Sequence, residues 1–285
     1  MPTEVTSADG SGSPPAVISL GILAWNEAAS IRETINSILA QSLVQTPPDW
    51  LKAFEVICVP NGCTDDTAAV ARKALEAGLN QTGERVTGRV HEVAEPSKAN
   101  AWNVFVHEAS ADDATALVLM DGDVILDHPD ALLNLAQTLQ SHPEAKVAGA
   151  TPIKHLARRR GFNPLHRLSL GASTIRRAMP GTFAGCCYMG RAEALRAFRL
   201  PSVLIGEDVF VRAMIVTDFF TRPDDTRRVV RADDASVLFE AYTAPGKVFR
   251  NLVRRSVTLA IDSILFAAFW EHADNREHAG NLTHR

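Results

Sequence analysis

The sequence predicts an α/β protein: a mostly parallel sheet with helices on both faces, folded as a single domain. Three observations carry that reading. Short β-branched apolar runs alternate with helical patterns through the first half. Those runs are apolar at nearly every position, as strands covered on both faces require. No internal repeat or low-complexity linker breaks the 285 residues, which suffice to bury a substantial core.

Taken in order, residues 1–15 are polar and rich in Ser, Gly and Pro, and read as a flexible leader without a secretory signal. AVISLGILAW (16–25) is a strand. After Asn26 and Glu27 comes SIRETINSILAQSL (30–43), where Ser30 and Glu33 have capping-box spacing and Ile31, Ile35, Ile38 and Leu39 recur at helical intervals. FEVICVP (54–60) is a second strand, NGCTDD a turn, and residues 67–79 an Ala-rich helix. RVHEVAE (89–95) is a third strand, KANAWNVFVHEAS (98–110) a third helix and ATALVLM (114–120) a fourth strand.

The second half is less regular. Residues 129–143 read as a helix, KVAGATPI (146–153) as a strand, and 154–180 as an acceptor-facing connection carrying seven Lys and Arg. A small-residue strand GTFAGCCYMG (181–190) follows, then a helix from Arg191, a turn at 204–215 leading into the helical pattern VFVRAMIV, a strand ASVLFEA (235–241) and a terminal helix from about Lys247. The expected division is a leader at 1–15, a main domain at 16–246 and a C-terminal helix and tail at 247–285.

Composition excludes several classes. A net charge of -4 gives no electrostatic case for nucleic-acid binding. Cys58, Cys63, Cys186 and Cys187 form no CxxC pair, which argues against a disulfide scaffold and for a reducing, cytoplasmic setting. The longest apolar tract, VTLAIDSILFAAFW (257–270), is too short to span a bilayer and contains Asp262.

The chemistry centres on VLMDGDVIL (118–126), where Asp121 and Asp123 flank Gly122 at the end of a buried strand. Two acids there are costly unless a cation or a set of donors neutralises them. Hard divalent ions take carboxylate oxygens together with substrate phosphates, so the pair suits Mg2+ or Mn2+ gripping a diphosphate. An isolated DGD is more often a tight turn. Here, however, Trp25-Asn26-Glu27 and Asn61-Gly62 also follow strands, and parallel sheets bind ligands beyond those strand ends. Glu207 and Asp208 form a second acid pair; caps at a helix start are the plainer reading, and a general base the alternative. Lys98 and Arg254 have the charge to meet phosphates.

Together these motifs resemble the family 2 glycosyltransferases of the GT-A fold, with a Rossmann-like sheet. The matching pieces are WNEAASIRETINSIL, VICVPNGCTDDTAAVA, KANAWNVFVHEA, LVLMDGDVIL, GTFAGCCYMGRAEALRAF and GEDVFVRAMI, over about residues 17–255. The resemblance implies a nucleotide-sugar donor, usually UDP-linked, and Mg2+ or Mn2+. Trp25, Asn26 and Glu27 match positions bordering the nucleotide, and Asn61 stands where the family often has an Asp contacting the base. Lys98 matches a position near the donor, Asp121 and Gly122 the donor side, and Asp123 the firmer metal ligand. Asp208, beside Glu207, matches the base that deprotonates an acceptor hydroxyl in an inverting transfer.

Processive members carry QxxRW near the terminal helix. This chain has RNLVRRS there, with Asn251 for Gln and Arg255 for Trp, so Arg254 alone is left to meet the diphosphate and single-sugar transfer is expected. Two other functions stand beside this one. A sugar-nucleotide nucleotidyltransferase would place a Gly-rich basic loop where WNEAAS stands; a non-catalytic nucleotide-sugar-binding relative would not need Asp121, Asp123 and Asp208. The terminal helix has two readings: closing the core or a homo-oligomer interface, which is favoured, or lying peripherally on an anionic membrane. Composition does not distinguish a sugar, lipid carrier, protein or small metabolite as acceptor.

Overall fold

A computed structural model of the chain describes residues 16–154, 181–202, 204–239 and 245–272. Its strands are β1 (Ala16–Ala24), β2 (Leu51–Pro60), β3 (Val86–Val90), β4 (Ala116–Asp121), β5 (Ile125–Leu126), β6 (Val147–Lys154), β7 (Cys187–Arg191) and β8 (Val229–Phe239). They form one sheet in the order β3-β2-β1-β4-β7-β6-β8-β5. Only β7 and β5 run against the others. The expected mostly parallel α/β sheet is therefore what forms.

The helices are α1 (Ile31–Leu39), α2 (Ser42–Gln45), α3 (Thr67–Leu79), α4 (Lys98–Val104), α5 (Ala131–Ser141), α6 (Ala192–Leu195), α7 (Glu207–Val216) and α8 (Pro245–His272). One core face gathers Ile18, Leu20 and Ile22 of β1 with Ile31, Ile35 and Ile38 of α1. The other gathers Val17 and Leu23 with Trp102, Phe105, Phe210 and Phe269. Successive strand residues point to opposite faces, so an all-apolar run fills both layers. Gly21 is small because a Cβ there would lie 2.6 Å from the Phe105 ring.

Several expected boundaries move. The third strand covers 86–90 rather than 89–95, because Val86 through Val90 pair with β2 while the chain beyond adds a bond from His91 N–H to Cys58 O at 2.8 Å and the isolated bridge Asn61 to Val93. The helix from Lys98 is α-helical to Val104 and then widens into a π turn over Phe105–Ala109. The strand expected at 181–190 is regular only from Cys187, where it begins pairing with Met120. The stretch read as a turn at 204–215 is helical from Glu207. β8 begins at Val229, well before the expected 235, and pairs along β6.

The capping box does not form: no side chain caps α1 at Ser30, whose hydroxyl is drawn instead to Glu27 Oε2 at 2.7 Å. Three expectations lie outside the described residues: the leader at 1–15, the connection at 155–180 and the tail at 273–285. The four cysteines are unpaired. Among the described residues no helix is long and apolar enough to cross a membrane. The terminal helix packs on α7 through aromatic contacts, with Phe220 and Phe269 stacked at 5.3 Å and Phe210 edge-on to Phe269 at 5.4 Å.

Candidate active site

The carboxyl ends of β1, β2 and β4 lie at one edge of the sheet, and the start of antiparallel β7 meets them there, since Leu23 pairs with Asp121 and Met120 with Cys187. Each polar turn read from the sequence follows one of these ends.

The loops after β1 and β2 interlock. Asn26 sits in the left-handed region at φ 56°, and its Oδ1 accepts from the Thr64 N–H at 2.8 Å. A non-glycine residue there is uncommon, and a short polar side chain that bonds locally is what tolerates it. Glu27 N–H donates to Thr67 Oγ1 at 2.7 Å, Ala28 N–H donates to Asp65 Oδ2 at 3.1 Å, and Thr67 donates through its hydroxyl to Asp65. Asn61 is buried, and its Nδ2 and backbone N–H donate to the Ala24 carbonyl at 2.8 and 2.9 Å. Its amide nitrogen is thus committed to joining β2 to β1. Gly62 has φ 58°, and a Cβ there would lie 2.6 Å from Pro96. Trp25, 58% exposed, projects its ring from this latched frame.

The DGD turn is held from three sides. Asp121 N–H donates to Cys186 O at 3.0 Å and Gly122 N–H to Leu23 O at 3.0 Å. The Gly122 carbonyl accepts from the hydroxyls of Thr34 at 2.9 Å and Ser30 at 3.3 Å. Gly122 owes its place to close packing: a Cβ would lie 2.9 Å from Ala24 Cβ and 3.2 Å from Glu27 Cγ. With its backbone bonded into the sheet, the turn presents two carboxyls of different character. Asp121 is 27% exposed and paired, while Asp123 is exposed.

Lys98, the first residue of α4 after the cap Ser97, links the two acid motifs. Its Nζ lies 2.6 Å from Asp121 Oδ1 and 2.5 Å from Glu207 Oε1. Burial works against the ammonium, but the adjacent Asp121 and Glu207 carboxylates outweigh it and hold its pKa well above the ordinary value. Burial pushes the Asp121 carboxyl up to about 6; Lys98 pulls it down, and Glu207 and Asp123 add like charge.

Glu207 is buried and Asp208 follows it in the first turn of α7. Gly185 packs under Asp208, where a Cβ would lie 2.5 Å from the Asp208 Cβ. The second acid pair therefore stands against the loop that leads into β7, beside the DGD turn. Arg254 lies on α8, but its side chain is outside the described residues, as are those of Arg250 and Arg255.

Sequence reasoning missed Asp65, Thr67, Ser30 and Thr34 as the residues that lock the site, although NGCTDDT carries the Asx-turn chemistry that could have pointed to the first two. It also missed Asp262, which the fold brings against the start of α7 at Gly206.

Among the described residues no cluster of three or more His, Cys, Asp or Glu is set to hold a metal ion. The two carboxylates of the DGD turn stand one residue apart at the strand end. Such a set fits a hard cation whose remaining ligands are diphosphate and water oxygens, and does not fit a closed protein cage.

Comparison with known proteins bears on the family and the fold. The model for glycosyl transferase family 2 matches residues 19–198, leaving the Glu207–Asp208 pair outside the match. A mannosyltransferase from Pyrobaculum calidifontis, solved with GDP-Man and Mn2+, has a TM-score of 0.61 at 20% identity, over 87% of this chain and 62% of that one. S. aureus TarS 1-349 has a TM-score of 0.51 at 17% identity, over 78% of this chain and 60% of that one. Glucosyl-3-phosphoglycerate synthase from Mycobacterium tuberculosis, with phosphoglyceric acid, has 0.51 at 20% identity, over 82% and 75%. At these identities the likeness is one of fold, and this chain spans under two thirds of the first two proteins. A comparison with curated protein sequences returned no match.

Proposed function

Because this chain belongs to glycosyl transferase family 2, we propose that it transfers a single sugar from a nucleoside-diphosphate sugar, a UDP-sugar first among them, to an acceptor hydroxyl with inversion. The observation that carries the reading is the Lys98 bridge, which sets the strand-end acid Asp121 and the helix-start acid Glu207 on one cation at 2.6 and 2.5 Å. Sequence-distant acids held together at a sheet edge put carboxylates able to hold a diphosphate-binding cation on one side and a proton acceptor on the other.

In this reading the Trp25–Glu27 and Asn61–Gly62 turns border the nucleotide, with the exposed Trp25 ring offering an apolar face to it. Asp123, with Asp121, would hold Mg2+ or Mn2+. When bound, the cation offsets the charge that develops on the leaving diphosphate. Lys98, paired with Asp121 and Glu207, holds the two acid motifs together on that side. Asp208 takes the proton from the acceptor hydroxyl. That oxygen attacks the anomeric carbon from the face opposite the diphosphate, the bond to the diphosphate breaks, and the configuration inverts. Gly185 and α7 hold Asp208 so that the base does not have to be ordered at the moment of reaction.

Structures of this fold have been solved with GDP-Man and Mn2+ and with UDP-GlcNAc, so both bases belong in the test. The deciding experiment is a nucleotide-sugar panel, with and without Mn2+, scored by thermal shift and donor hydrolysis. Stabilisation by one donor and its slow hydrolysis are expected. A chain that neither binds nor hydrolyses any of them refutes the proposal.

A further inference from the structure

Asp262 on α8 is the acid that the site as described does not use. It is 2% exposed, and neither carboxyl oxygen has a hydrogen-bond partner among the described residues. An acid left in that state costs folding free energy, and native proteins rarely keep one without a reason. Beyond it on the helix, Phe266 and Phe269 pack against Phe210 and Phe220.

The helix is seated so that this carboxyl arrives at the acid pair. Gly206, immediately before Glu207, has no side chain, and a Cβ there would lie 2.3 Å from Thr258 Cγ2 and 3.5 Å from Asp262 Oδ2. Thr258 and Asp262 are four residues apart and share a helix face. The missing side chain thus lets α8 bring Asp262 against the start of α7. The charged groups that act on it are Asp208 and Glu207, both of α7, and Glu207 is in turn paired with Lys98 of α4. Burial first, then those two carboxylates, push the Asp262 carboxyl up to about 6.

We propose that Asp262 is a positioning residue for the transfer: its buried carboxyl acts through Asp208, strengthening that carboxylate as a base for the acceptor proton. The proposal rests on the reading of Asp208 as the base. Above about pH 6 Asp262 is ionised, and a like charge beside Asp208 raises its affinity for a proton. A base whose proton affinity lies nearer the working pH takes the acceptor proton more readily. The coupling is reciprocal, so Asp208 must raise the proton affinity of Asp262 to the same extent.

The test uses the full chain labelled with 13C at aspartate carboxyls, as wild type, Asp208→Asn and Asp262→Asn. Titration by NMR is expected to show the Asp262 midpoint falling by about one pH unit in Asp208→Asn. In Asp262→Asn the acid limb of kcat/KM, measured with the donor found in the panel, moves down by a similar interval, and kcat near neutral pH falls about three- to tenfold. The Tm of Asp262→Asn is expected to be no lower than that of the wild type. An Asp262 titration that is the same with and without the Asp208 carboxylate overturns the coupling, whether or not transfer is observed. A lowered Tm with an unmoved acid limb makes Asp262 a packing residue and overturns it as well. Absence of transfer by the wild type refutes instead the function on which the kinetic arm stands.

Discussion

Replacing Lys98 with methionine keeps an unbranched side chain of similar length and deletes the charge that serves both acid motifs. Asp121 and Glu207 then face each other without the ammonium now 2.6 and 2.5 Å from them. Removing one partner of a buried ion pair costs about 3–5 kcal/mol. Lys98 and Asp121 are 37% and 27% exposed, so solvent screens part of that, while Glu207 at 9% is screened little. A loss of about 2 kcal/mol is the reasonable working figure. At about 2–4 °C per kcal/mol for a domain of this size, Tm should fall by about 4–8 °C at pH 8.

The pH dependence of that loss has a definite sign. Burial pushes the Asp121 carboxyl up to about 6, above the ordinary aspartate range. The folded state therefore holds the proton more tightly, and stability declines as pH rises from the lower value through the higher one. Without Lys98 the folded value climbs further, so the variant keeps losing stability at pH values where the wild type has levelled off. The gap in Tm should be small near pH 5 and widen towards pH 8. Differential scanning fluorimetry across that range measures it. Equal gaps at both ends, or no gap, would refute the bridge as the element joining the two motifs.

Asp208→Asn is expected to abolish transfer while largely sparing donor binding; near-normal turnover with unchanged donor affinity would sink its assignment as base. Asp123→Asn should weaken the response to Mn2+ in the thermal-shift panel more than it weakens donor binding in metal-free buffer, and an unaltered Mn2+ titration would remove Asp123 from the metal site. Gly185→Ala puts a Cβ 2.5 Å from the Asp208 Cβ, and overpacking of this kind costs about 1–3 kcal/mol. Because the displaced atom belongs to the base, kcat should fall by about a hundredfold with KM for the donor little changed. A variant that loses only stability contradicts that placement of Asp208.

Local chemistry explains how much was readable from the residues alone. Thr67–Leu79 forms the helix its Ala-rich pattern predicts. The apolar runs become β1, β2 and β4, because strands buried on both faces need apolar residues at every position. The parallel order then carries Glu27, Asn61 and Asp121 to one edge. Ser30 shows where such reading fails. Its spacing to Glu33 meets the local rule for a capping box, yet its hydroxyl serves Glu27, three residues back, and the Gly122 carbonyl, a partner that exists only once β4 lies beside β1.

The sequence by itself determined the fold class, the polar turns at the strand ends and the candidate acids, since each depends on residues near one another in the chain. Tertiary structure decided that Lys98 joins Asp121 to Glu207, that Asp65 and Thr67 latch the loop after β1, and that Asp262 lies buried beside the start of α7. Those placements depend on which helix faces meet and how closely. The missing side chain of Gly206 sets one such approach, and no periodicity around Asp262 records it.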